Sequence, residues 1–303
     1  MTTVSTAAFY ARATGDIASL RARAEGLQGD IARGERLTRS SQDPVAAARL
    51  RALSRAEATA SIDAEAASRA SADLQLADDA LTGFTDAIGR ARELAAQAAS
   101  GTLNADQRKA IGVEIAQLNA SLFSLANARD SSGHALFGGE ATGQAYALDA
   151  AGNATYAGTA SAATLNLGDG QSVIRGVTGP EFLNFTSGGP TDLFSTLKGL
   201  ADALNGNVAD PAAAARTALT TLDVGLNAVT TAQTVVGARL NRIELASDRA
   251  VQRGAARDIE QAAMGGTDIA ATVTRLQETL TVLEASQAGF ARLSALSLFD
   301  QIR

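Results

Sequence analysis

Between Thr267 and Arg303, apolar residues fall at Ile269, Val273, Leu276, Leu280, Leu283 and Phe290, in steps of four and three. On a helix such steps hold every one of these side chains in a single narrow seam. Gln287 is the one polar seam position before Phe290. A helix with so narrow a stripe gains too little from local propensity to persist alone, so it needs a partner of matching length. The other end of the chain supplies one, because Tyr10, Ala13, Ile17, Leu20, Ala24, Leu27 and Ile31 repeat the same rhythm. The pattern predicts that the two chain ends pair as a coiled coil. Packing within one chain and packing between chains draw equally on such a stripe, and spacing alone does not choose between them.

The interior reads as further long helices around a different kind of segment. After a break at Gly34, Asp43-Pro44 supplies a side-chain cap and a residue whose missing N–H costs nothing in the first helical turn. The helix that follows runs to Ser100-Gly101, with Leu74, Ala77, Leu81, Phe84, Ile88 and Ala91 as its later buried stripe. A restart at Asn104 carries Ile111, Ile115, Leu118, Leu122 and Leu125 on one face and is expected to end near Ser131-Ser132-Gly133. From residue 133 to 190 glycine is dense and helical periodicity disappears. Residues 144–148 and 154–157 read as one hairpin, and 164–167 and 171–174, around Gly168-Asp169-Gly170, as another. Thr191 is expected to cap a short helix through Leu204, with a turn at Asn205-Gly206-Asn207. Asp210-Pro211 then repeats the earlier cap-plus-proline start. The helix it opens has the most regular stripe in the chain, Leu219, Leu222, Leu226, Val229, Val236, Leu240 and Ile243, interrupted at Gln233, and continues to Gly265-Gly266.

The fold class expected is therefore mainly α with a β-rich insertion, an elongated rod of long antiparallel helices. The predicted organisation is nested: 1–43 with 264–303 as a terminal coiled-coil assembly domain, 44–132 with 191–263 as a helical bundle, and 133–190 as a β-rich tip. Composition agrees, since aromatics are only 4% and there is no Trp, which suits close helix packing along seams better than a thick globular core.

Several function classes are disfavoured. With no Cys there is neither a disulfide nor a thiolate site. The net charge of -6 opposes general nucleic-acid binding, and the arginines of the first helices are interspersed with acids as on a solvated face. No run approaches the ~18 apolar residues of a membrane span, and the N-terminus lacks the pattern of a secretion signal. His134, the lone histidine, sits in a Gly-Ser loop without a second ligand nearby, so no metal site is expected. Gly138-Gly139 and Gly265-Gly266 match no nucleotide-binding fingerprint, Asp78-Asp79 and Glu93 read as polar-face charges, and no G-x-S-x-G occurs. No catalytic constellation and no cofactor are expected.

Particular residues carry a resemblance. Val4-Ser5-Thr6 with Phe9-Tyr10, then Ser40-Ser41-Gln42-Asp43-Pro44-Val45-Ala46-Ala47, resemble the start of flagellin-family proteins. Leu136-Phe137-Gly138-Gly139 and Val236-Gly237-Ala238-Arg239-Leu240-Asn241-Arg242-Ile243-Glu244 are similar to later segments of that family. The ending, Leu296-Ser297-Leu298-Phe299-Asp300-Gln301-Ile302-Arg303, is similar to its junction-type members rather than its filament subunits. The resemblance covers both terminal thirds, and the β-rich middle matches only in texture. It implies a structural subunit exported through the flagellar type III channel and forming a ring or helical array with copies of itself between hook and filament. It also implies an extracellular location, a neighbouring hook-associated protein and flagellin as partners, and an export chaperone. Residues 88–97 resemble the flagellin segment recognised by an innate immune receptor and are read here as bundle surface. Leu20, Leu27, Ile31, Leu276, Leu280, Leu283, Phe290 and Phe299 are the residues expected to carry assembly. A filament subunit and a cytoplasmic coiled-coil scaffold are the alternatives.

Overall fold

A computed structural model describes residues 6–35, 37, 39–168 and 170–300. Val4, Ser5, Asp169 and residues 301–303 lie outside the described residues, as do the side chains of Thr6, Leu296, Leu298 and Phe299. Seven α-helices are described: α1 Thr6–Arg33, α2 Pro44–Ala99, α3 Ala105–Ala126, α4 Gly179–Leu183, α5 Leu193–Asp202, α6 Pro211–Gly265 and α7 Ile269–Asp300. Three antiparallel hairpins accompany them: β1 Tyr146–Leu148 with β2 Ala154–Tyr156, β3 Thr164–Gly168 with β4 Gln171–Ile174, and β5 Asn184–Thr186 with β6 Pro190–Asp192.

The helix starts follow from their caps. The Asp43 and Asp210 carboxylates accept from the backbone N–H of Ala46 at 3.0 Å and of Ala213 at 2.9 Å, each satisfying an orphan donor of the first turn. Asn104 and Gln107 form a reciprocal capping box at the head of α3. At the end of α2, Gly101 takes φ 72°, the left-handed conformation that lets the chain leave the helix.

Five features depart from expectation. Helix α3 stops at Ala126 rather than near residue 131, because the Asn127 side chain turns to a strand. Its Oδ1 accepts from Tyr146 N–H at 3.0 Å and its Nδ2 donates to Tyr146 O at 3.1 Å, so the amide stands in for one rung of a β-ladder. The cap of α5 is Asp192, accepting from Ser195 N–H at 2.8 Å, while Thr191 lies in β6. After α5 the chain enters a π-helical turn, residues 203–207, in which Gly206 takes φ 104°. Helix α4 and the β5–β6 hairpin were not foreseen. Their signals are a Thr178–Glu181 capping box and a Ser-Gly-Gly turn in which Gly188 takes φ 73°.

The chain divides into two compact units, residues 59–252 and residues 1–58 with 253–303. The core of the first is continuous. Leu74, Ala77, Leu81, Phe84, Ile88 and Ala91 of α2 are all buried, as the spacing predicts, with Ile115 and Leu122 of α3 and Leu222, Val229, Val236 and Ile243 of α6. The polar interruption at Gln233 is answered by threonines of α2: its Nε2 donates to Thr82 Oγ1 at 3.2 Å, and Thr85 Oγ1 donates to its Oε1 at 3.4 Å. Tyr146 of β1, Leu167 of β3 and Val173 of β4 belong to the same buried cluster, so these hairpins are sealed onto helices rather than left as free ribbons. Gly179 allows this at one point, since a Cβ there would lie 2.4 Å from the Tyr146 ring.

With so few aromatics, their placement decides where packing is densest. Phe84 of α2, Phe137 of the loop after α3 and Phe182 of α4 are fully buried and meet edge to face, with ring centroids 5.0–6.2 Å apart. Phe137→Ala is expected to lower the unfolding free energy of this unit by about 3–5 kcal/mol, because the flanking rings cannot collapse into the space. Urea unfolding followed by far-UV circular dichroism measures the loss.

Candidate assembly surface

The second unit contains the paired chain ends. Tyr10 of α1 meets Phe290 of α7 edge to face at 5.5 Å, while at the other end Thr267 N–H donates to Gly34 O at 2.9 Å and Glu35 bridges Gly266. Early residues of α1 therefore lie beside late residues of α7, and the two helices are antiparallel. Two glycines permit the tight crossing. Gly34 takes φ 69°, and a Cβ on Gly266 would come within 2.4 Å of Ala262 O. Asp268 then caps α7, accepting from Ala271 N–H at 3.0 Å.

Every seam position of α1 turns inward. Ala24 is buried, and Tyr10, Ala13, Ile17, Leu20, Leu27 and Ile31 are half-buried, with exposed residues between them through most of the helix. Helix α7 uses only part of its heptad. Leu283 is buried at 9% exposure, and Leu276 and Phe290 are half-buried on the same stripe. The intervening inward positions are occupied by Thr272, Thr279 and Ser286, not by the apolar residues beside them. Leu280 is 37% exposed and Ile269, the first residue of the helix, 56%. Val273 and Gln287 lie half-buried at the margin. One partner helix covers only a narrow strip, and α7 presents the strip centred on Leu276, Leu283 and Phe290. The expected seam position at Ile269 is thereby corrected. Phe299 lies outside the described side chains. The deepest inward positions are Ala24, which belongs to the spacing of α1, and Thr272, a polar residue that hydrophobic spacing does not single out.

Beside the pair is an open hollow of ≈ 510 Å³, lined by Thr14, Ile17 and Arg21 of α1 and by Gln287 and Phe290 of α7. Elsewhere in this unit a bidentate contact joins α2 to α6: Arg49 Nε and Nη2 donate to the two Glu260 oxygens at 2.6 and 3.0 Å. That planar match holds the Glu260 carboxyl below its ordinary value.

Groups with possible chemistry are used structurally. His134 is exposed, 3.6 Å from Asp130, whose Oδ1 accepts from the N–H of Ser132 and of His134 at 2.8 Å and so closes the loop on itself. Burial, and after it the Asp130 carboxylate, push the nearby Asp73 carboxyl above its ordinary 3.8, against the opposing pull of Arg175 and His134. In the segment 88–97, Arg90 bridges Glu93 at 3.0 Å and Glu114 of α3 at 2.7 Å, and Arg92 pairs with Asp223 of α6. Among the described residues no cluster of three His, Cys, Asp or Glu has metal-binding geometry, and no helix is long and apolar enough to cross a membrane.

Residues 4–142 match the family model of the bacterial flagellin N-terminal helical region. Over those residues the chain is similar to bacterial flagellins. It is also similar to a flagellar hook-associated protein: flagellar hook-associated protein 3 of Escherichia coli (strain K12) is 29% identical over 284 residues, covering 88% of this chain and 89% of that protein. Among solved structures, FlgL of Xanthomonas campestris superposes with a TM-score of 0.62 at 19% identity, over 69% of this chain and 99% of that one. The flagellar junction protein FlgL of Legionella pneumophila does so with a TM-score of 0.57 at 17% identity, over 65% and 99%. These two establish the likeness of fold, with its long helices and small antiparallel sheets.

The packing of the α1–α7 pair and the raised Asp73 value each lead to an expected outcome. Gln287→Leu adds apolar surface beside Ile17 and is expected to raise the opening free energy of the α1–α7 pair by about 1 kcal/mol, read as slower amide hydrogen exchange in α1. For Asp73 the sign follows from its raised value. The fold holds this proton more tightly than the unfolded chain does, so stability present below 3.8 is lost as pH rises through the folded value and stays lost at neutrality. Asp73→Asn is therefore expected to raise the melting temperature at pH ~7 and to leave it nearly unchanged below the ordinary aspartate value.

Proposed function

We propose that this chain is a structural subunit of the bacterial flagellum at the junction between hook and filament, exported by the flagellar type III system and polymerising through its terminal helices. The half-used heptad of α7 carries the reading. Leu276, Leu283 and Phe290 face α1, whereas Leu280 and Ile269 remain exposed on the adjoining edge. An apolar edge beside a satisfied seam gives a further helix something to cover, and a neighbouring copy supplies that helix. Contacts between different patches on successive copies generate rings or helical arrays rather than closed two-fold dimers. Leu20, Leu27, Ile31, Leu276, Leu283 and Phe290 then hold the α1–α7 pair, and Leu280 meets the neighbour. The names of similar proteins, hook-associated protein 3 and flagellar junction protein, support placing this assembly between hook and filament. A second hook-associated protein and flagellin are the adjoining partners. Before export, a chaperone covers the apolar edge.

The terminal unit also suits export. Its buried apolar side chains among the described residues are Ala24, Ala47, Leu53 and Leu283, far fewer than in the unit of residues 59–252. Helices held by so little burial open locally at small cost, and an opened chain passes a narrow channel. Assembly is assigned to 1–43 with 264–303, support to the bundle segments 44–132 and 191–263, and the β-rich tip to 133–190.

Two substitutions three residues apart separate the roles. Leu280→Asp is expected to leave α1–α7 exchange protection in the free chain nearly unchanged while reducing incorporation into flagella at least tenfold. Leu283→Asp is expected to remove both. Normal incorporation of Leu280→Asp sinks the assignment of that edge. Deleting the gene should release unpolymerised flagellin into the medium; loss of the filament's own subunit instead would make the chain a flagellin, and retention of the chain in the cytosol would make it a scaffold.

A further inference from the structure

We propose that residues 59–252 carry a second contact between copies: an exposed Leu245 knob flanked by Arg242 and Arg249 on α6, inserting into a groove between α2 and α6 of the next copy whose rim carries Glu244 and Asp248. The inference rests on the reading that the chain assembles with itself, but it uses none of the terminal helices.

The groove is open, has a volume of ≈ 590 Å³, and lies between Ala64, Ser68, Ser71 and Ala72 of α2 and Leu240 and Ile243 of α6. Small side chains on α2 leave room for one larger aliphatic group, and Glu244 and Asp248, one helical turn apart, supply negative charge at its edge. On the other side of α6, Leu245 is 51% exposed between Arg242 and Arg249, which are also exposed. At 3.6 residues per turn the arginine–leucine face and the acidic face are roughly 110° apart around α6, at the same height along it. Among the described residues none of these four charges has an ion-pair partner, although other arginines of the chain, such as Arg49, Arg90 and Arg92, pair within it.

Knob and groove are complementary in shape and sign and lie on different faces of one helix. The occupant that satisfies both is therefore a second copy of this chain. Because the two faces differ, each copy uses one face toward each neighbour, which is a heterologous contact that propagates. Equal height along α6 means that the contact joins copies laterally without sliding them along the helix axis. The charges set register and discriminate against other partners, and the leucine supplies the burial.

The chain contains no cysteine, so single cysteines report this contact without background. Leu245→Cys and Ser68→Cys, each in an otherwise complete chain and one of them epitope-tagged, are co-expressed in flagellated cells, and isolated flagella are treated with a short bismaleimide. Expected is a mixed cross-linked dimer that requires both variants, falls at least tenfold when Arg242→Glu and Arg249→Glu are added to the Leu245→Cys chain, and returns when Glu244→Arg and Asp248→Arg are added to the Ser68→Cys chain. Chain present in flagella without the mixed dimer overturns this contact and leaves the proposed function standing. A dimer of Leu245→Cys with itself, or a yield unaffected by charge reversal, likewise overturns it. Absence of the wild-type chain from flagella overturns the proposed function and this contact together.

Discussion

A long helix with one narrow apolar stripe is stable only along the length over which something covers that stripe, and this constraint organises the whole chain. Helix α2 has 56 residues and α6 has 55, lengths at which fraying is prevented by packing rather than by caps alone. Where α3, α5 and the hairpins supply apolar side chains, the stripes of α2 and α6 vanish into a continuous core. Where α1 and α7 cover each other, burial is shallow and some apolar residues stay in water. The two units thus differ in how fully the same kind of stripe is satisfied.

The β-rich insertion makes sense on the same grounds. Two-stranded hairpins are marginal by themselves, and these persist because their inward residues join a helical core. Tyr146 packs against Tyr156 and Phe194 with ring centroids 5.3 Å apart, while its backbone is held by the Asn127 amide. A scarcity of aromatics is no handicap when those present converge on a few crossings, as Phe84, Phe137 and Phe182 do.

Periodicity made the helices legible because each stripe repeats over many turns, so that one polar position such as Gln233 does not obscure it. Caps made the starts legible, since Asp43, Asn104 and Asp210 each satisfy a donor that nothing else nearby would. The ends were harder. Helix α3 stops where Asn127 finds a partner nineteen residues away, in a strand, and no local pattern announces a long-range hydrogen bond. The α1–α7 pairing was legible as a seam, but not which edge of α7 it covers. An ideal heptad does not say which edge faces the one helix available, and at α7 the answer depends on Thr272, Thr279 and Ser286, residues that a count of apolar positions passes over.

On the proposed reading, a partly covered stripe also separates folding from assembly. Had α1 buried both edges of α7, the terminal unit would gain stability and lose its reason to associate. Had it buried neither, the ends would not pair at all. The intermediate state lets the chain ends recognise each other through Tyr10, Leu283 and Phe290 while Leu280 keeps apolar surface in reserve. Exposed apolar surface of this kind is costly in a monomer and useful in a polymer. In the proposed contact at the groove beside Ser68, unpaired charge accompanies the exposed Leu245. Charges remain hydrated in the free chain and cause no indiscriminate sticking, so in the proposed contacts α6 adds charge specificity to the burial of Leu245, while α7 offers burial alone.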